Sequence, residues 1–267
     1  MDLSWARLAT IDWAEQPGFA PTKFSTSFFN LSNLARFCEP LPTLLGTICR
    51  KSLLTHIKEM VAIPKDSQIM INHAKSVVSN TSNACIIVDI PYQAISNSPD
   101  KTYKNVSEIL TKSGACAVKL EGGSSILKII EYLIKNKIAV MGHLGILPQS
   151  VKGKFKFKGK KIKERNKIFN DAKLLQDKGV FSIVLECVET TLAKQITKSL
   201  KIPTIGIGSS HHCDGQVLVT DDLIGLNETK IKFVKKFVNV KRYIKSGLKK
   251  FSEDVKLKKY PSKKYSY

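Results

Sequence analysis

Ala117-Val118-Lys119-Leu120-Glu121-Gly122-Gly123 sets a cation and a carboxylate two positions apart in an otherwise apolar run that closes on a glycine pair. Side chains at i and i+2 of a strand share a face, so Lys119 and Glu121 project together. The glycines let the backbone turn away directly after them. The stretch predicts a polar pair at the C-terminal end of a strand, which in a parallel α/β barrel is where active sites lie. A solvated strand face would carry the same two residues. Recurrence of such strand ends along the chain separates the two readings.

They recur. Residues 84–91 (Ala-Cys-Ile-Ile-Val-Asp-Ile-Pro) predict a buried strand ending in Asp89, residues 138–145 one ending near His143, and residues 181–188 one carrying Glu186. Residues 202–208 predict a strand ending in glycines, and Leu223 to Leu226 a short last strand. Helical patterns stand between them: residues 71–78, Lys101 to Ser113, Ser124 to Lys135, Ile168 to Lys178 and Leu192 to Leu200. Gly114 and Gly179 fall at helix C-termini. A further helix is expected from Phe233 to about Val255. This alternation, at roughly 25 to 45 residues per unit, fits βα repeats. The expected fold is α/β, a (β/α)8 TIM barrel. An open doubly wound sheet is the alternative, but its glycine-rich phosphate fingerprint is absent from the first strand-helix turn. Six strands are counted after residue 84, leaving the first two to the N-terminal segment.

Composition agrees. The chain has 267 residues, 43% hydrophobic and 24% charged, close to the roughly 250 residues of a typical barrel. No apolar run approaches the roughly 20 residues that span a bilayer, and Met1 to Gln16 lack a basic stretch followed by an apolar core. A cytoplasmic location is expected. The six cysteines form no C-x-x-C pair, and several sit in apolar runs as small hydrophobes, which fits a reducing compartment. The net charge is +21, densest in the run Lys152 to Lys167. That run, with Phe155 and Phe157 interleaved, could track a phosphate backbone. Against a nucleic-acid partner, the excess is mostly Lys and spread over the chain, which suits a solvated surface that attracts anionic substrates. Residues 1–65 differ: they hold both tryptophans and half of the prolines and show no sustained period, so they form a segment apart from the barrel domain of residues 66–267.

Asp89, Lys119 with Glu121, His143 and Glu186 would converge on one mouth of the barrel. Asp89 and Glu121 suit a hard divalent ion such as Mg²⁺, which commonly takes one or two carboxylates with water and substrate. Lys119 can neutralise a substrate carboxylate. Glu186, among Leu185, Cys187 and Val188, is placed as a general base, and such a set fits proton abstraction beside a polarised carbonyl. Each residue alone has a plain structural role: a loop cap, an ion pair, a hydrogen-bonded core histidine. The four strand ends together favour the site.

The motifs Val88-Asp89-Ile90-Pro91-Tyr92, Val118 to Gly123, Gly142-His143-Leu144-Gly145 with Pro148-Gln149-Ser150-Val151, Leu185-Glu186-Cys187-Val188, Ile205 to Gly208 and Asp214 to Val219 follow in that order. Over about residues 70 to 267 this sequence resembles the ketopantoate hydroxymethyltransferase (3-methyl-2-oxobutanoate hydroxymethyltransferase) family. The resemblance implies a phosphoenolpyruvate/pyruvate-type (β/α)8 barrel that uses Mg²⁺ and 5,10-methylenetetrahydrofolate to hydroxymethylate 3-methyl-2-oxobutanoate, a step toward pantothenate. It implies Asp89 as metal and substrate ligand, Glu121 as metal ligand, Lys119 as the group meeting the ketoacid, Glu186 as proton acceptor and His143 in support. It also implies a homo-oligomer, a decamer of two pentameric rings, with no membrane partner. The family's Gly-Asp-Ser-Leu-Gly motif, which supplies a further metal ligand, is absent; Arg50-Lys51-Ser52-Leu53 is its nearest echo. Residues 1–65 are thus either strongly diverged or translated from a shifted frame. An impaired relative, or a basic nucleic-acid-binding protein on the same scaffold, stand as the alternatives.

Overall fold

The computed structural model describes residues 67–82, 84–150, 156–228 and 231–267. The two strands expected before residue 66, and the Arg50 to Leu53 echo, lie outside them. The chain divides into two compact units, one ending at Val217 and one spanning Leu218–Tyr267.

In the first unit the order is α1 (Ser67–Val78), β1 (Ile87–Asp89), α2 (Pro99–Ser113), β2 (Ala117–Glu121), α3 (Leu127–Lys135), β3 (Val140–Gly145), α4 (Ile162–Asp177), β4 (Ser182–Glu186), α5 (Thr190–Ser199), β5 (Thr204–Ile207) and β6 (Gly215–Gln216). All neighbouring strands pair in parallel, in the spatial order β1-β2-β3-β4-β5-β6. A doubly wound sheet reverses its strand order at a switch point. None occurs here, and the described strands are the wall of a (β/α) barrel.

Local chemistry fixes the helix ends. At α2, Ser98 accepts from the Lys101 N–H, Pro99 occupies the first turn and Gly114 closes the helix in the left-handed conformation. At α5, Glu189 accepts from the N–H groups of Thr191 and Leu192. Hydrogen bonds from Thr191, foremost, and from Arg165 and Leu192 hold the Glu189 carboxyl down at about 2.

Strand alternation then separates two faces. Val88, Val118, Leu120, Ile183 and Leu185 pack with Ile109, Ile130, Leu133, Leu175, Leu192 and Ile196 in one continuous core. Each such buried aliphatic contributes about 1.5–3 kcal/mol. The opposite parity carries Asp89, Lys119, Glu121, His143 and Glu186, which forgo that gain and must satisfy one another.

Four expectations change. The sixth strand is Gly215–Gln216, and Leu223 to Leu226 is not a strand: in the second unit α6 (Thr220–Leu223) occupies its start and Gly225 follows at φ +73°. β6 comes directly after β5 because Asp214 folds back, its Oδ2 accepting from the Thr204 N–H and hydroxyl at 2.8 and 3.1 Å. Helix α4 starts at Ile162, inside the lysine-rich run, with Glu164 accepting from the Gly159 N–H at 2.8 Å; its lysines hide the helical period. The last helix, α7 (Val240–Lys256), starts later than Phe233, at an Asn239 cap that accepts from the Arg242 N–H. Cys85, expected in a buried strand, precedes β1 and is exposed. Among the described residues no helix is long and apolar enough to cross a membrane.

Candidate active site

All five side chains singled out from the sequence meet at the C-terminal ends of β1 to β4. The register sets Asp89 opposite Lys119 and Glu121 opposite His143, while Glu186 lies opposite Gly145, two residues beyond His143. Lys119 Nζ lies 3.1 Å from Asp89 Oδ1 and 3.2 Å from His143 Nδ1. His143 Nε2 lies 3.1 Å from Glu186 Oε2, and Nδ1 3.9 Å from Glu121 Oε1. The set is deeply buried: His143 is 0% and Glu186 2% exposed.

An ammonium can only donate. Lys119 therefore makes Nδ1 of His143 the acceptor and leaves the ring proton of the neutral imidazole on Nε2, facing Glu186. The contacts form a chain from Asp89 through Lys119 and His143 to Glu186, in which Lys119 stands between two acceptors and His143 between Lys119 and the Glu186 carboxylate. Burial, aided by the charge of Asp89 and opposed by Lys119 and the Gln149 hydrogen bonds, raises the pKa of Glu121.

The backbone around these groups is unusual where the strands end. Cys187, directly after Glu186, has φ +49°, a conformation few non-glycine residues adopt and one found often at functional sites. Gly145 has φ +100°, and a Cβ there would lie 2.1 Å from the Glu186 carbonyl oxygen. That close approach admits the Ile146 N–H to the same oxygen at 2.8 Å. After β2, a Cβ on Gly123 would lie 2.2 Å from Asp171 Oδ2.

Two residues of the site had no role assigned from sequence. Gln149, in the segment after β3, donates from its backbone N–H to Glu121 Oε2 at 3.1 Å and from its side chain to Glu121 Oε1 at 3.3 Å. Asp171 of α4 is buried, takes the Ser124 N–H at 3.1 Å and pairs with Lys167 at 2.6 Å, so it pins the turn that ends β2. Gln149 sits in a motif visible in the sequence. Asp171 carries no such signal, since a Lys and an Asp four apart on a helix look like a surface pair.

The donor set suits Mg²⁺. Asp89 and Glu121 are hard oxygen donors on adjacent strand ends, and the buried charge of Glu121, with Asp89 beside it, is one that a cation would stabilise. Among the described residues no group of three or more His, Cys, Asp or Glu side chains is gathered to hold a metal; two carboxylates meet the need of an ion that keeps its waters.

Comparison with known proteins identifies the family. The family model for ketopantoate hydroxymethyltransferase matches residues 57–263. The 3-methyl-2-oxobutanoate hydroxymethyltransferase of Pelagibacter ubique (strain HTCC1062) is 55% identical over 199 residues, 74% of this chain and 77% of that protein. The like-named protein of Clostridium botulinum (strain 657 / Type Ba4) is 43% identical over 201 residues, covering 74% and 73%. That of Phenylobacterium zucineum (strain HLK1) is 35% identical over 263 residues, covering 96% and 92%. With the match spanning every strand of the described wall, the chain belongs to the ketopantoate hydroxymethyltransferase family and is a transferase.

Proposed function

We propose that the chain transfers a hydroxymethyl group from 5,10-methylenetetrahydrofolate to 3-methyl-2-oxobutanoate, with Glu186 as the base. The observation that carries this is the continuous contact chain Asp89–Lys119–His143–Glu186 across four adjacent strand ends. Asp89 and Glu121 would hold Mg²⁺, which when bound supplies Lewis-acid polarisation of the ketone next to C3.

The protein's own groups do the rest. Lys119 spends two of its three N–H donors on Asp89 and His143 and turns the third to the ketoacid carboxylate. His143 Nε2 lies 3.1 Å from Oε2 of Glu186, and the Glu186 carboxylate takes the C3 proton. As the C3–H bond breaks, its electron pair passes into the enolate; one water hydrolyses the two carbon–nitrogen bonds of the folate's methylene, releasing tetrahydrofolate and formaldehyde, and the enolate carbon attacks the formaldehyde, whose oxygen takes the proton held by Glu186 and becomes the new hydroxyl. Burial of Lys119, His143 and Glu186 keeps these charges strongly coupled. The family resemblance also supports a homo-oligomer acting in the cytoplasm on small molecules.

Exchange of the C3 proton in deuterated water, followed by NMR with Mg²⁺ present, isolates the first half-reaction from folate binding. Glu186→Gln keeps the shape and removes the base, and should slow exchange on the order of 100-fold or more. Equal exchange by parent and variant would remove Glu186 from the role.

A further inference from the structure

We propose that Gln149 is the positioning residue of the Glu121 carboxylate and the tie between the ends of β1 and β2. Both Glu121 oxygens are engaged from one residue: Oε2 by the Gln149 backbone N–H at 3.1 Å, Oε1 by its Nε2 at 3.3 Å. The same amide donates to the Ile90 carbonyl at 3.1 Å, and its Oε1 accepts from the Tyr92 N–H at 2.7 Å. Every polar group of Gln149 except its own carbonyl thus points at a strand end that carries a site residue. Ile90 follows Asp89 directly, so one side chain fixes Glu121 and the backbone leaving Asp89 relative to each other.

The arrangement has a consequence for a carboxylate that must bind a cation. Both oxygens receive hydrogen bonds from the same side, which fixes the carboxylate plane and leaves the remaining lone pairs directed away from Gln149. A carboxylate free to rotate would lose orientational entropy on binding a cation; one already held loses less. Second-shell partners of this kind orient metal ligands, and their loss weakens metal binding by about 10- to 100-fold. Gln149 reaches the site from the segment after β3, so its presence also couples the seating of that segment to the geometry of Glu121. The inference rests on the proposed part of Glu121 as a Mg²⁺ ligand.

The test titrates Mg²⁺ by calorimetry, without substrate, into the full-length parent and Gln149→Met. Methionine preserves length and volume but donates and accepts nothing of note. Binding should weaken about tenfold, and saturating Mg²⁺ should restore C3 exchange to near the parent rate because every ligand remains. A merely structural role would lower the unfolding midpoint and leave Mg²⁺ affinity of the folded protein unchanged. Equal affinity in parent and variant overturns this inference alone, as does an exchange defect that persists at saturating Mg²⁺. A parent that binds no Mg²⁺ overturns the metal assignment of Glu121 and this inference with it. Should Gln149→Met fail to fold, Gln149→Asn, which withdraws the amide by one methylene, carries the same expectations.

Discussion

Glu121 is in tension with its surroundings. Burial, reinforced by Asp89, holds its pKa above the ordinary carboxylate value, so in the metal-free protein the ionised form is less comfortable folded than unfolded. The sign follows from proton linkage: the folded state binds this proton more tightly, so stability falls as pH rises through the unfolded value toward the folded one and stays reduced above it. Glu121→Gln removes the buried charge and keeps the shape. The metal-free variant should therefore unfold at a higher denaturant concentration than the parent at pH 7, and the gain should fade below about pH 4, near the unfolded carboxylate pKa. Added Mg²⁺ should reverse the order, because a ligand that binds only the folded state stabilises by mass action. Urea unfolding at two pH values, with and without Mg²⁺, checks all three outcomes. A variant less stable than the parent without metal at pH 7 would show that Lys119 and Gln149, not burial, dominate at this position.

Among the elements, the strand ends were legible because chemistry and periodicity coincide there. Lys119 and Glu121 two apart, with glycines behind them, can only share a face if the segment is a strand, and the observed register brings both to the polar side. The sixth strand was illegible because it is two residues long and is set by Asp214, just before it, bonding to Thr204 ten residues earlier in sequence. The start of α4 was masked by lysines, and Asp171 by its resemblance to a surface ion pair. What sequence spacing does not reveal is backbone proximity, and Gly145 illustrates it. Its motif reads as an ordinary strand ending, yet the structure requires glycine twice over, by its positive φ and by contact with the Glu186 carbonyl. Gly145→Ala should cost about 3 kcal/mol or more, in the range of buried strain combined with overpacking. It should also slow C3 exchange at least tenfold in whatever fraction remains folded, because a 1 Å displacement at a reacting group costs on that order or more. Urea unfolding and the NMR exchange assay together separate the two effects, and exchange at the parent rate would show that β4 yields without moving Glu186.

Over the whole molecule, charge and site pull in opposite directions. The chain carries +21, whereas the polar face of the barrel gathers three carboxylates, Asp89, Glu121 and Glu186, around one ammonium, Lys119. An anionic ketoacid or the proposed folate donor would therefore be drawn toward the protein at long range and, in the proposed site, received by Lys119 and the cation held by Asp89 and Glu121. Long-range attraction acts on encounter, not on chemistry inside a buried site. Raising ionic strength from about 0.01 to about 1 M shortens the screening length from about 30 to about 3 Å. Over that range kcat/KM for the ketoacid should fall several-fold at saturating Mg²⁺ while kcat holds steady. Nucleic acid, a polyanion that would occupy the same field, should inhibit only at low salt and lose its effect steeply as salt rises, because each neutralised phosphate releases counterions. Steady-state kinetics across a salt series, with and without added single-stranded DNA, distinguishes the cases. A kcat/KM indifferent to salt would mean that the lysines serve the surface alone, and inhibition by one DNA sequence that survives high salt would mean that the basic run has a partner of its own.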